Sequence, residues 1–242
     1  MSGRFGGEEF GGEAGHDAPS PNHDARPGGG PVDTLVLHYT GMQSAEAAIA
    51  RLRDPVARVS SHYVVEEDGR IWRLVPEERR AWHAGVSHWR GRSWLNDCSV
   101  GIEIVNPGHE WGYRAFPALQ MAAVCELSLA ILGRHPIPAW NVVGHSDIAP
   151  DRKEDPGELF DWRGLAENGV GVWPAGGEAG GLGQAVGEEG VEAALVAIGY
   201  PVPDLRTTLV AFQRRWLPGH LSGEADVATR VRIAEVLGAV TG

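Results

Sequence analysis

The chain has 242 residues with 43% hydrophobic residues and a formal net charge of -11. That is enough apolar material for a large domain plus a small one, and it excludes a wholly disordered polymer. The acidic balance argues against nucleic acid or an anionic membrane as the main partner, and no apolar run approaches the ~20 residues of a membrane span.

Residues 1–31 are rich in Gly, Pro, Asp and Glu and lack apolar periodicity, so a disordered N-terminal arm is expected there. The first ten residues show no basic stretch followed by an apolar one, unlike a signal peptide. Cys98 and Cys125 form neither a disulfide framework nor a metal-type pair and are expected as buried thiols. Both features favour a cytoplasmic location, with a periplasmic or cell-wall one as the alternative.

From Val32 the texture changes. Val32 to Tyr39 reads as a buried strand, and Ser44 to Arg53 as a helix with Ser44 at its N-cap and Glu46 in its first turn. Asp68-Gly69 between Ser61–Glu67 and Arg70–Val75 marks a hairpin. Val100 to Val105 is a second buried strand, Pro117 to Gly133 a helix, and Asn141 to Gly144 a last short strand. Strands alternating with helices place this part in the α/β class. Residues 168–189 form a Gly-rich linker, and helical patterns follow at Gly190–Ile198, Asp204–Trp216 and Gly223–Ala239.

The stretch with most chemistry is Gly144-His145 through Lys153-Glu154-Asp155-Pro156-Gly157. A His at a strand end and a carboxylate on the following loop suit a hydrolytic metal site, and His38, near the end of the first strand, would complete three ligands. Two imidazoles and a carboxylate are a set that fits Zn²⁺. Glu103 is an acidic residue inside an apolar strand: a buried carboxylate is costly, so it needs either a catalytic task or a partner such as Arg90 or Arg92. Lys153, two residues before Asp155, shares its face if the loop is extended; from the charged run alone, a solvated lysine is the simpler reading.

Leu37-His38-Tyr39-Thr40, Ser61-His62-Tyr63, Ala81-Trp82-His83-Ala84-Gly85, Asn96-Asp97 with Ser99-Val100-Gly101-Ile102-Glu103, and the His145–Gly157 stretch occur in one order. In that order the chain resembles the zinc-dependent N-acetylmuramoyl-L-alanine amidases of the type 2 family, relatives of phage T7 lysozyme and of peptidoglycan recognition proteins. The resemblance implies a mixed central β-sheet flanked by helices over residues 32–167. It implies Zn²⁺ on His38, His145 and Asp155, with Glu103 as proton shuttle and Lys153 at the oxyanion. The substrate would be peptidoglycan or a muropeptide, in its 1,6-anhydro form or not, cut between N-acetylmuramic acid and L-alanine in cell-wall turnover or recycling. Trp82, His83 and His62 are expected at the substrate, with His62 as a hydrogen-bonded wall residue; Trp89, Trp94 and Trp111 are further flat surfaces that serve either sugars or the core. The T7 lysozyme-like members carry a Tyr where this chain has Ser61, which shifts proton transfer onto Glu103.

Residues 190–242 resemble the small three-helix peptidoglycan-binding modules that follow such amidases, on the strength of Gly199-Tyr200 and Ala211-Phe212-Gln213. The alternative there is a helical tail packed on the catalytic domain. On the residues alone, a non-catalytic peptidoglycan-binding protein and a zinc peptidase cutting within the stem peptide also stay open.

Overall fold

A computed structural model describes residues 15–175 and 184–241. The Gly-rich run Gly176–Gly181 and residues 1–14 lie outside the described residues.

The strands are β1 (His16–Asp17), β2 (His23–Ala25), β3 (Thr34–Tyr39), β4 (Tyr63–Val65), β5 (Ile71–Arg73), β6 (Arg79–Ala81), β7 (His88–Trp89), β8 (Arg92–Ser93), β9 (Ser99–Ile104) and β10 (Val142–Gly144). The helices are α1 (Ala45–Arg53), α2 (Gly108–Trp111), α3 (Ala118–Arg134), α4 (His145–Ile148), α5 (Trp162–Glu167), α6 (Val191–Ile198), α7 (Leu205–Trp216) and α8 (Val227–Thr241). Six strands form one sheet in the order β1-β5-β4-β9-β3-β10. Its pairs are parallel except β4–β5, the hairpin turned at Asp68-Gly69, where Gly69 takes φ +88°. The sheet is therefore mixed. Ser44 caps α1 by accepting a hydrogen bond from the Ala47 amide at 3.2 Å.

β3 and β9 are buried on both faces, which is why they read as unbroken apolar runs rather than alternating ones. On one face Leu35, Leu37, Val100 and Ile102 pack with Met121, Val124 and Ile131 of α3 and with Trp162 and Leu165 of α5. On the other, Val36, Val143 and Ile148 share a core with Leu195, Ile198, Phe212, Trp216, Ile233 and Val236 of the C-terminal helices and with Tyr200, just after α6. The three helices thus supply one cover of the sheet. Cys98 and Cys125 are buried free thiols.

The disordered arm expected up to residue 31 does not hold for residues 15–31. β1 pairs with β5 and β2 with β6. Ser20 donates to the Leu52 carbonyl at 2.6 Å, and the Asn22 amide donates to the carbonyls of Asp54 (2.9 Å) and Val59 (2.8 Å). The segment is tied down by polar groups capping backbone, so a search for apolar periodicity passes over it.

Candidate active site

Parallel pairing brings three strand ends together, where open α/β sheets place their ligands. In register, His38 of β3 stands opposite Glu103 of β9, and Gly144 of β10 opposite Leu37, so the chain leaves β10 into His145 level with His38. The loop after α4 returns: the Ser146 amide donates to the Asp155 carbonyl at 2.9 Å, which sets the Asp155 side chain beside both rings. Gly144 permits this approach, since a Cβ there would lie 2.8 Å from Cδ of Pro156.

His38 Nδ1, His145 Nδ1 and Asp155 Oδ2 are 2.9, 3.0 and 3.1 Å apart, and all three side chains are buried. The outer ring nitrogens decide the tautomers. His145 Nε2–H donates to the Ala84 carbonyl at 3.1 Å. Ser99 Oγ–H donates to the Leu95 carbonyl at 2.5 Å, so it accepts from His83 Nε2–H at 3.2 Å, leaving His83 Nδ1 to accept from His38 Nε2–H at 3.0 Å. Burial holds His83 well below the ordinary imidazole value, with the neighbouring His38 adding to this, so that ring is neutral. Burial, reinforced by His145, lowers His38 to about 4. Two bare Nδ1 lone pairs and a carboxylate oxygen then converge with no proton between them. That arrangement asks for a cation, and tetrahedral Zn²⁺ ligands stand about 3.3 Å apart. The donor set fits a metal ion.

These groups form part of the floor of a cleft of about 740 Å³, which Trp82, Glu103 and Lys153 also line. Burial, helped by the Asp155 charge and opposed by Lys153, pushes Glu103 well above the ordinary carboxyl range. Its Oε2 is buried without a hydrogen-bond partner. Neither structural partner weighed for it is used: Arg90 donates to the Ile198 carbonyl and Arg92 pairs with Asp33. Lys153 and Asp155 do reach one cleft, and the Lys153 ammonium has no hydrogen-bond or ion-pair partner among the described residues.

One expectation is corrected. His62 is fully buried and does not line the cleft. Its Nδ1 accepts from the Gly101 amide at 2.9 Å and its Nε2 donates to the Arg79 carbonyl at 3.1 Å; burial, with Arg26 adjacent, lowers it to about 3. His83 borders the cleft, and both its nitrogens are engaged, Nδ1 by His38 and Nε2 by Ser99, so its ring braces His38 from behind. Gly101 makes that possible, since a Cβ there would fall 2.5 Å from the His83 ring. Trp82 lines the cleft; Trp89 is core, while Trp94 and Trp111 are exposed outside it. Ser61 is fully buried and donates to the Gly101 carbonyl, away from the cleft.

Sequence reasoning missed Arg26. It donates to the carbonyls of Glu77, Asn96 and Ser99 and so fastens the N-terminal segment behind His62. It also missed Asp147, two residues after His145, whose Oδ1 accepts from Tyr200 at 2.6 Å and whose Oδ2 accepts from Arg215 at 2.7 Å. Asp147 stood in the motif as an acidic residue near His145; nothing in its spacing pointed to partners more than fifty residues away.

The N-acetylmuramoyl-L-alanine amidase family model matches residues 28–158. This chain belongs to that family. It is an amide hydrolase acting on the N-acetylmuramoyl-L-alanine bond. It is 40% identical over 230 residues to N-acetylmuramoyl-L-alanine amidase AmiD of Escherichia coli (strain K12), covering 85% of this chain and 82% of that protein. AmiD in complex with the substrate anhydro-N-acetylmuramic acid-L-Ala-D-gamma-Glu-L-Lys superimposes with a TM-score of 0.77 over 86% of this chain and 89% of that one, at 37% identity. AmpDh3 of Pseudomonas aeruginosa, in complex with anhydromuramic pentapeptide, gives 0.76 at 34% identity over 88% and 92%. The 1,6-anhydro-N-acetylmuramyl-L-alanine amidase AmpD of E. coli (strain K12) is 39% identical over 161 residues, 60% of this chain and 86% of that protein.

Proposed function

We propose that the cleft hydrolyses muropeptides, including 1,6-anhydro forms, with Zn²⁺ held by His38, His145 and Asp155. The observation that carries this reading is the convergence of three buried donor atoms within 3.1 Å, beside an unpartnered Glu103 and an unpartnered Lys153. Bound there, Zn²⁺ would supply a water acidified toward neutral pH and polarise the scissile carbonyl. The chain supplies the rest. Glu103 accepts the proton of the attacking water at its free oxygen and passes it to the leaving nitrogen of L-alanine, a transfer that its raised pKa favours. Lys153 meets the negative charge that develops on the carbonyl oxygen. His83 and the Ala84 carbonyl hold the two imidazoles in the tautomer that presents Nδ1 to the ion. The Trp82 ring offers an apolar face to the muramyl sugar.

Support for the anhydro form comes from AmiD and AmpDh3, whose complexes contain anhydromuramyl peptides. Mass spectrometry of paired anhydro- and reducing-end muramyl peptides, with chelated and zinc-restored protein, tests the proposal. Release of a stem peptide beginning with L-alanine, lost on chelation and regained with zinc, is the expected result. Uncut substrate from folded, zinc-loaded protein would leave a binding role only.

A further inference from the structure

The helix α7 has two faces. Leu209, Phe212 and Trp216 enter the core beneath the sheet, whereas Arg206, Thr207, Val210 and Arg214 line the catalytic cleft. A spacing of four keeps Arg206, Val210 and Arg214 on one stripe about 12 Å long. Arg206 is exposed and makes no ion pair or hydrogen bond among the described residues. The Arg214 side chain is 9% exposed and sits 3.6 Å from Glu158 and 3.7 Å from Glu154. Both separations exceed the ~2.8 Å of a charge-assisted hydrogen bond, and Glu158 is also approached by His109 at 3.1 Å. Arg51 and Arg152 line the same cleft. With Lys153 these make five cations in one cleft of a chain of net charge -11, against four carboxylates there, Glu103, Asp151, Glu154 and Asp155. The amide chemistry described above uses only Lys153.

Stem peptides carry the matching charge. When glutamate is joined through its γ-carboxyl, as in the ligand of AmiD, its α-carboxylate stays free one residue beyond L-alanine, and the peptide ends in another. Guanidinium groups bind carboxylates in a planar, two-pronged geometry. We propose that Arg206 and Arg214 form a carboxylate-binding subsite for the stem peptide, so that the C-terminal helical unit sets the peptide specificity of the cleft. This rests on the amidase reading of the same cleft.

The test measures kcat and KM of the full-length, zinc-loaded protein on anhydromuramyl-L-Ala-D-γ-Glu-L-Lys. It repeats them on the analogues with the glutamate α-carboxyl or the terminal carboxyl converted to an amide. The acid form should have the lower KM by about tenfold or more against one of the amides, the scale of one charge-assisted hydrogen bond. Arg214→Gln and Arg206→Gln should erase that difference by raising KM for the acid, with a smaller change in kcat. Arg206→Glu should favour the amide. Arg206 is exposed, so its variants keep the test open should Arg214→Gln fail to fold. Equal treatment of acid and amides by the wild type, or an unchanged ratio in both glutamine variants, overturns the subsite and leaves the amidase standing. No cleavage of any muramyl peptide overturns the amidase reading, and the subsite with it.

Discussion

The sheet and the C-terminal helices border the same cleft and hold it by different means. The sheet places its cleft side chains by backbone register: His38 stands opposite Glu103 in the parallel β3–β9 pair, and His145 follows because β10 ends level with them. The helices make no backbone ladder with the sheet. They are joined to it by a shared apolar core and by a buried polar clasp of Tyr200, Arg215, Trp216 and Asp147. Arg215 also lies over the rings of Trp162 and Trp216, at 4.1 and 4.3 Å, so one guanidinium spans both regions. Register is set by local sequence pattern; a clasp depends on pairs of side chains far apart in the chain, and a single substitution can open it.

The largest expected effect falls on the sheet side. Glu103→Gln keeps the shape of the cleft but removes the proton acceptor, and should lower kcat by roughly 10²- to 10⁴-fold while zinc binding persists. Steady-state kinetics with metal analysis on the same sample would show it, and a loss under threefold would remove Glu103 from the chemistry.

On the helical side, Asp147→Ala strands Arg215, whose side chain is 4% exposed, without its carboxylate. Unfolding by denaturant should show a loss of about 3–5 kcal/mol, as for a broken buried ion pair. Zinc should also be released more readily, because the clasp braces the turn that carries His145. A loss below about 1 kcal/mol would mean that the helices merely lie against the sheet.

The smallest effect concerns the sheet and its helix α3 alone. Burial would raise the Glu77 pKa, but hydrogen bonds from Arg134, Tyr63 and His135 outweigh it and hold the carboxyl at about 2. Its folded value thus lies below the ordinary carboxyl value of about 4.5, so its stabilisation is complete above pH ~4.5 and fades as pH falls toward 2. Glu77→Gln should be less stable than wild type at neutral pH, and the gap should narrow on acidification through that window. A gap independent of pH would contradict the linkage.

The same contrast explains what the sequence revealed. β3, β9 and β10 were legible because strands covered on both faces are continuous apolar runs, and α1 was legible from Ser44 and its first turn. That His38, His145, Asp155, Glu103 and Lys153 meet at one cleft was legible because the motif fixes their order along the chain. The placement of the His83 ring behind His38 was not: it depends on the missing Cβ of Gly101, sixteen residues beyond Gly85 of its own motif. Nor was the order of residues 15–31, which comes from Ser20, Asn22 and Arg26 finding distant carbonyls. The helices were visible as periodicity, but their place on the sheet was not, because Tyr200 and Arg215 find Asp147 only in the folded chain.

The central claim is that His38, His145 and Asp155 act as one metal site. Its most direct test is equilibrium zinc competition against a chromophoric chelator, comparing wild type with Asp155→Ala. The account predicts one tightly held zinc in the wild type and an affinity lower by more than about a hundredfold in the variant, with its fold retained. Equal affinity in the two proteins would contradict it.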